Sequence, residues 1–207
     1  MTHELPHPSV AVDQGVPSLA LLELRAAVLA SVRSFFARRA YLELDTPIMR
    51  RVGAMEPHLV SFATELIGVD GRRDRRYLHT SPEYAMKIVI ARHRRSVYQL
   101  ARVFRNEEAS ATHLPEFTLL EWYAVGAGLH ALMDETEDLL RELFRLHRLP
   151  QALPGLATAQ PFERLSVREA FLRHAELDLD RCATCADFVR AAKERGCRVG
   201  DDWPWED

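Results

Sequence analysis

The chain has 207 residues, 47% of them apolar, enough for one sizeable core or a core with a small appendage. Its 27 basic and 30 acidic residues leave a net charge of -3, so there is no global positive field with which to hold a polyanion. No window is apolar enough to cross a bilayer, and the first residues lack the basic and apolar regions of a signal peptide.

Residues 1–17 hold three prolines and no apolar period, which predicts a flexible leader ahead of a single domain over 18–207. Ser18 is placed to cap a helix that runs to about Arg39, with Leu21, Leu24, Val28, Val32, Phe35 and Phe36 at near-helical spacing. Tyr41 to Thr46 reads as a strand stopped by Pro47, which has no amide to continue a ladder. A second strand is predicted over Leu59 to Ile67, then an arginine-dense hairpin loop over Gly68 to Arg76 and a strand at Tyr77 to His79.

Ser81-Pro82-Glu83 combines a capping hydroxyl, a proline with its angle pre-set, and an acid at the positive helix end. A helix should follow to about Arg94. Val97 to Phe104 and Glu116 to Tyr123 read as antiparallel strands joined by a long charged loop, Arg105 to Pro115. Alternation along the second strand puts Trp122 in the core and Phe117, Glu121 and Tyr123 on the opposite face. Amphipathic helices are predicted over Leu129 to Leu146, from Ser166 through Phe171, and over Asp187 to Arg195. Together these elements give an α+β fold, an antiparallel sheet flanked by helices.

The chemistry concentrates at the long hairpin. An arginine at a strand end, Arg105, can grip a phosphate through two parallel hydrogen bonds, and Phe117 offers a face for a purine. Phe104-Arg105-Asn106-Glu107, His113, Pro115-Glu116-Phe117-Thr118 and Glu121-Trp122-Tyr123 resemble motif two of the class II aminoacyl-tRNA synthetases, in the lysyl branch. Glu43-Leu44-Asp45-Thr46-Pro47 resembles motif one, and Thr80 to Lys87 resembles the segment that lines the amino-acid pocket. The resemblance runs collinearly from Leu19 to Arg148.

Fewer than twenty residues precede the first helix, too few for the anticodon-binding barrel of a lysyl-tRNA synthetase. Asn106-Glu107-Glu108 and Leu120-Glu121-Trp122-Tyr123 are also worded like the elongation factor P lysine ligases of that branch. The resemblance thus implies adenylation of lysine or (R)-β-lysine with ATP, then transfer to a lysine side chain of elongation factor P. It implies that Arg105 acts on the α-phosphate, that Asn106, Glu107, His113 and Phe117 complete the ATP site, and that Ser81, Pro82, Glu83 and Tyr123 contact the amino acid. A homodimer through the Ser18 helix and the Pro47 region is implied as well, with tRNA not expected as a partner, while the odd count of three cysteines and the lack of a secretory leader point to the cytoplasm.

The family's third motif should lie beyond Asp207, and with it the Mg2+ ligands, so the expectation is a portion of the domain that is inactive alone. A lysyl-tRNA synthetase catalytic fragment and a non-catalytic synthetase-like binding paralogue are the alternatives. Simpler readings stand beside each site residue. Arg105 and Glu107 could be a surface ion pair, Ser81-Pro82-Glu83 a helix cap, and His113 a loop histidine. Cys182 and Cys185 have the spacing of half a zinc knuckle without a second pair, so no metal site is assigned to them.

Overall fold

A computed structural model describes residues 17–106, 110, 113–147 and 160–200. The chain divides into two compact units, before and after residue 158. In the first, Ser18 accepts a hydrogen bond from the Leu21 amide at 3.3 Å and opens helix α1, Leu19–Arg38. The predicted strand after it shrinks to β1, Leu42–Glu43, which runs parallel to β5, Val97–Phe104. Strand β5 pairs antiparallel with β6, Glu116–Tyr123, in unbroken register from Val97 opposite Tyr123 to Phe104 opposite Glu116. Both strand boundaries match those read from the sequence.

The second small sheet holds β2, Met49–Arg50, β4, Arg73–Leu78, and β3, Ala63–Ile67, in that order and antiparallel. Here the sequence reading needs correcting. Arg73 to Arg76 are not loop; they form the first half of β4, opposite Ile67 to Thr64. Arginine density suggested a turn, yet Arg73 reaches Glu65 across the pair at 2.6 Å, so the charges decorate an exposed ladder. The turn itself is Gly68 to Arg72, with Gly71 at φ +76°, a conformation a side chain disfavours. Strand β2 was not foreseen because only two residues after Pro47 are paired.

Helix α2, Glu83–His93, and helix α3, Leu129–His147, complete the first unit. Its core lies between α1, α3 and one face of β5 and β6: Val32, Phe35, Phe36, Tyr98 and Leu139 are buried, with Leu100, Leu120 and Trp122 packed against them. Phe36 is the hub. Its ring stacks on Tyr98 at 4.6 Å and meets Phe35, Tyr41 and Trp122 within 5.6 Å. Polar tips at the rim are satisfied by acids: Tyr41 and Trp122 both donate to Glu135, and Tyr98 donates to Glu43 at 2.8 Å. Burial and that acid push the Tyr98 phenol up to about 12.

In the second unit, Ser166 and Glu169 form a capping box at the start of α4, which runs from Val167 to Ala175 and so passes the predicted end at Phe171. Helix α5 spans Cys185–Glu194, beginning before the predicted Asp187 because Thr184 and Asp187 form a second capping box. The ring of Phe188 on α5 meets that of Phe171 on α4 edge to face at 5.7 Å. Cys182, Cys185 and Cys197 carry free thiols. The leader, the linker after α3 and the closing acidic segment fall outside the described residues.

Truncating the hub, Phe36→Ala, removes a fully buried ring. It is expected to cost about 3–5 kcal/mol in the unfolding free energy, read from the urea midpoint. A loss below about 1 kcal/mol would show that the α1 to sheet contact does not hold the first unit together.

Candidate active site

The face of β6 turned away from the aromatic core carries Phe117, Glu121 and Tyr123, as strand alternation requires. At the end of β5 the backbone of Arg105 donates to Pro115 at 2.9 Å and that of Asn106 donates to Val60 at 2.8 Å, tying the hairpin to the segment that precedes β3. Arg105 extends over this face. Its guanidinium carbon lies 5.3 Å from the centre of the Phe117 ring, and its Nε donates to the Thr80 carbonyl at 3.5 Å.

The other end of the face is acidic. Ser81 Oγ donates to Glu121 Oε1 at 2.5 Å and accepts from the Glu83 amide at 2.9 Å, so one hydroxyl holds both the first amide of α2, whose N-cap position is Pro82 in place of the expected Ser81, and the strand acid. Tyr123 donates to Glu121 Oε2 at 3.4 Å. Glu83, the first residue of α2, pairs with Lys87 one turn on at 2.5 Å. Burial raises the Glu121 carboxyl, the Ser81 hydroxyl offsets part of that rise, and the Glu83 carboxylate adds to it. Burial and then Glu121 raise the Tyr123 phenol too.

Two hollows adjoin this end. One of about 410 Å³ is bordered by Glu83, Glu121, Tyr123 and Thr136. The other, about 530 Å³, is lined by Met49, Arg50, Met55, His79, Ser81 and Tyr84, which makes Ser81 a wall between acid and cavity. Behind it His79 is buried, its Nε2 2.6 Å from the Arg102 carbonyl, and burial holds its imidazole below the usual range.

Of the residues read from sequence, the structure therefore gathers Ser81, Glu83, Tyr123, Arg105 and Phe117 around one strand face. Pro82 is buried at the helix start, its backbone carbonyl accepting from the amides of Ala85 and Met86. Asn106 lies at the hairpin bridge, and His113 lies in the loop with Nδ1 2.8 Å from Ser110 Oγ. Glu107 falls outside the described residues. Glu121 was not named as a site residue, although its shared face with Phe117 and Tyr123 pointed to it. The Thr80 carbonyl could not have been read, since any residue type supplies it.

Residues 16–206 match the family described as tRNA synthetases class II (D, K and N). The chain belongs to that family. Its α+β architecture, with antiparallel-rich sheets flanked by helices, is of the class II synthetase type. Among similar curated proteins is the "Elongation factor P--(R)-beta-lysine ligase" of Yersinia enterocolitica, 44% identical over 163 residues, which is 77% of this chain and 46% of that protein. Proteins of the same name from Salmonella typhi and Vibrio vulnificus are 41% and 43% identical, over 81% and 75% of this chain and 48% and 44% of theirs. The chain spans about half the length of the curated relatives it matches.

Because the Glu121 carboxyl is raised in the fold, its ionised form destabilises the folded state above that raised value, and the penalty disappears as pH falls toward the ordinary carboxylate range. Glu121→Gln is accordingly expected to raise Tm at about pH 8 and to give a shrinking gain as pH falls toward about 4. A pH-independent loss of Tm would mean that the hydrogen bonds to the acid outweigh its charge.

Proposed function

We propose that this class II synthetase domain activates lysine or (R)-β-lysine as an adenylate, for transfer to a lysine side chain of elongation factor P. The observation that carries the reading is the polarity of one strand face. Arg105 stands over Phe117 at one end, and the Glu121 and Glu83 carboxylates, with the Ser81 and Tyr123 hydroxyls, stand at the other. A diamino acid has the complementary polarity: ammonium groups for the acids and a carboxylate directed toward the cation.

In the first step a carboxylate oxygen of the amino acid attacks the α-phosphorus of ATP, the bond to the bridging oxygen of pyrophosphate breaks, and pyrophosphate leaves. Arg105 counters the negative charge that builds on the phosphoryl oxygens. Phe117 provides the stacking face for adenine, and Asn106, Glu107 and His113 are assigned to the same nucleotide. In the second step the ε-amine of the acceptor attacks the acyl carbon, the bond to AMP breaks, and the nitrogen loses a proton. Among the described residues no group of three or more His, Cys, Asp or Glu side chains converges, and no step is routed through a metal.

The names of the relatives, which specify (R)-beta-lysine and elongation factor P, support the substrate class and the acceptor. For the oligomer, a homodimer is proposed, with the exposed Leu19, Leu21 and Leu22 of α1 as the apolar surface a second copy would cover.

ATP-pyrophosphate exchange with the full-length protein tests the first step. Exchange is expected with lysine or (R)-β-lysine and is expected to fall at least about 100-fold in Arg105→Ala. Absence of exchange with every amino acid would overturn the reading, and charging of tRNA in place of elongation factor P would reassign the acceptor.

A further inference from the structure

Glu83 already has an ammonium partner. Lys87 Nζ lies 2.5 Å from its Oε1, and on an ordinary helix surface such a pair one turn apart would merit no comment. This pair stands elsewhere. The Glu83 amide is fixed on Ser81 Oγ, and the same hydroxyl donates to Glu121, so one anchor holds the backbone of the first residue of α2 and the carboxylate of the strand acid. Lys87 also lines, with Tyr123, Ile90 and Leu132, a hollow of about 570 Å³ that opens between α2 and the start of α3. The Glu121 charge acts on Lys87 as well as the Glu83 charge does. Two acids and one lysine therefore meet at this end of the face.

We propose that Lys87 is an internal counter-ion of the amino-acid site, holding Glu83 until an ammonium group of the substrate displaces it. The proposal rests on the lysine-activating reading given above. Its physical basis is that two carboxylates brought together without a cation oppose each other, as the rise that Glu83 imposes on Glu121 shows. Ser81 and Tyr123 compensate Glu121; Lys87 compensates Glu83. The Lys87 side chain is 58% exposed and carried on a flexible stem, so it can leave Glu83 for water without opening a void. An incoming ammonium that replaces it restores the same charge balance, and the lysine is a positioning residue that sets how tightly the substrate holds.

The test measures KM and kcat for lysine and (R)-β-lysine in pyrophosphate exchange by the full-length protein, its Lys87→Met and Lys87→Gln variants, and Lys87→Arg. Removing the competitor is expected to lower KM about two- to fivefold at low salt, with kcat little changed, while Lys87→Arg keeps the parent KM. The gain should shrink at high salt, because the lysine is solvent-exposed. In a Glu83→Gln background, Lys87→Met should no longer lower KM. An unchanged or higher KM in both neutral variants overturns the proposal while leaving the enzymatic reading intact. If the parent protein shows no amino-acid-dependent exchange, the enzymatic reading falls and the proposal falls with it.

Discussion

The register between β5 and β6 governs both the core and the site. Val97 faces Tyr123 and Phe104 faces Glu116, and between them every residue of one strand has one opposite residue on the other. Side chains alternate along β6, so Leu120 and Trp122 join the Phe36 cluster only when Phe117, Glu121 and Tyr123 point the other way. A slip of one residue would bury Glu121 and Tyr123 among aromatic rings and turn Trp122 toward Arg105. The apolar energy of the core thereby fixes the positions of polar groups that contribute nothing to it.

Polar groups under the site carry a cost that the fold only partly offsets. Glu121 is held by two hydroxyls, whereas Thr46 Oγ1, His79 Nδ1 and Gln99 Oε1 are buried without a hydrogen-bond partner among the described residues. Gln99 is the residue opposite Glu121 in the ladder. Unsatisfied acceptors and donors in the interior cost about 1–3 kcal/mol each, and the core on the far face, with its stacked and edge-on rings, supplies the compensating burial.

How much of this was legible depended on how far each signal reached along the chain. Strands β5 and β6 were readable to the residue because β-prone residues run over eight positions in each and a charged segment marks both sides of the loop. Strand β4 was not, because its identity comes from pairing with β3 and its own composition, Arg73 to Arg76, imitates a loop. Ser18 and Ser166 announced their helices, but Thr184 was overlooked although it stands three residues before Asp187 in the same capping pattern as Ser166 and Glu169. In the site the same division holds. Arg105 and Phe117 were legible from their motif, and Glu121 became prominent only when Ser81, forty positions earlier, was found on its carboxylate.

That long-range bond explains why the site resists a purely local reading. Ser81 is accounted for locally by its bond to the first amide of α2, and Glu121 as a polar residue of β6; their meeting is what adds Glu121 to the candidates. The Arg105 bond to the Thr80 carbonyl adds the second constraint, since Thr80 and Ser81 are consecutive and the cation and the acid are thereby referred to the same two residues. Along β6 alone, Phe117 and Glu121 are separated by about 13 Å of strand. Folding the Thr80-Ser81 turn across that strand brings the Arg105 charge near enough to act on Glu121, which it helps to keep ionised against burial. The two charges therefore stand on one face within electrostatic reach of each other, and their order along it follows from which strand end bears the arginine.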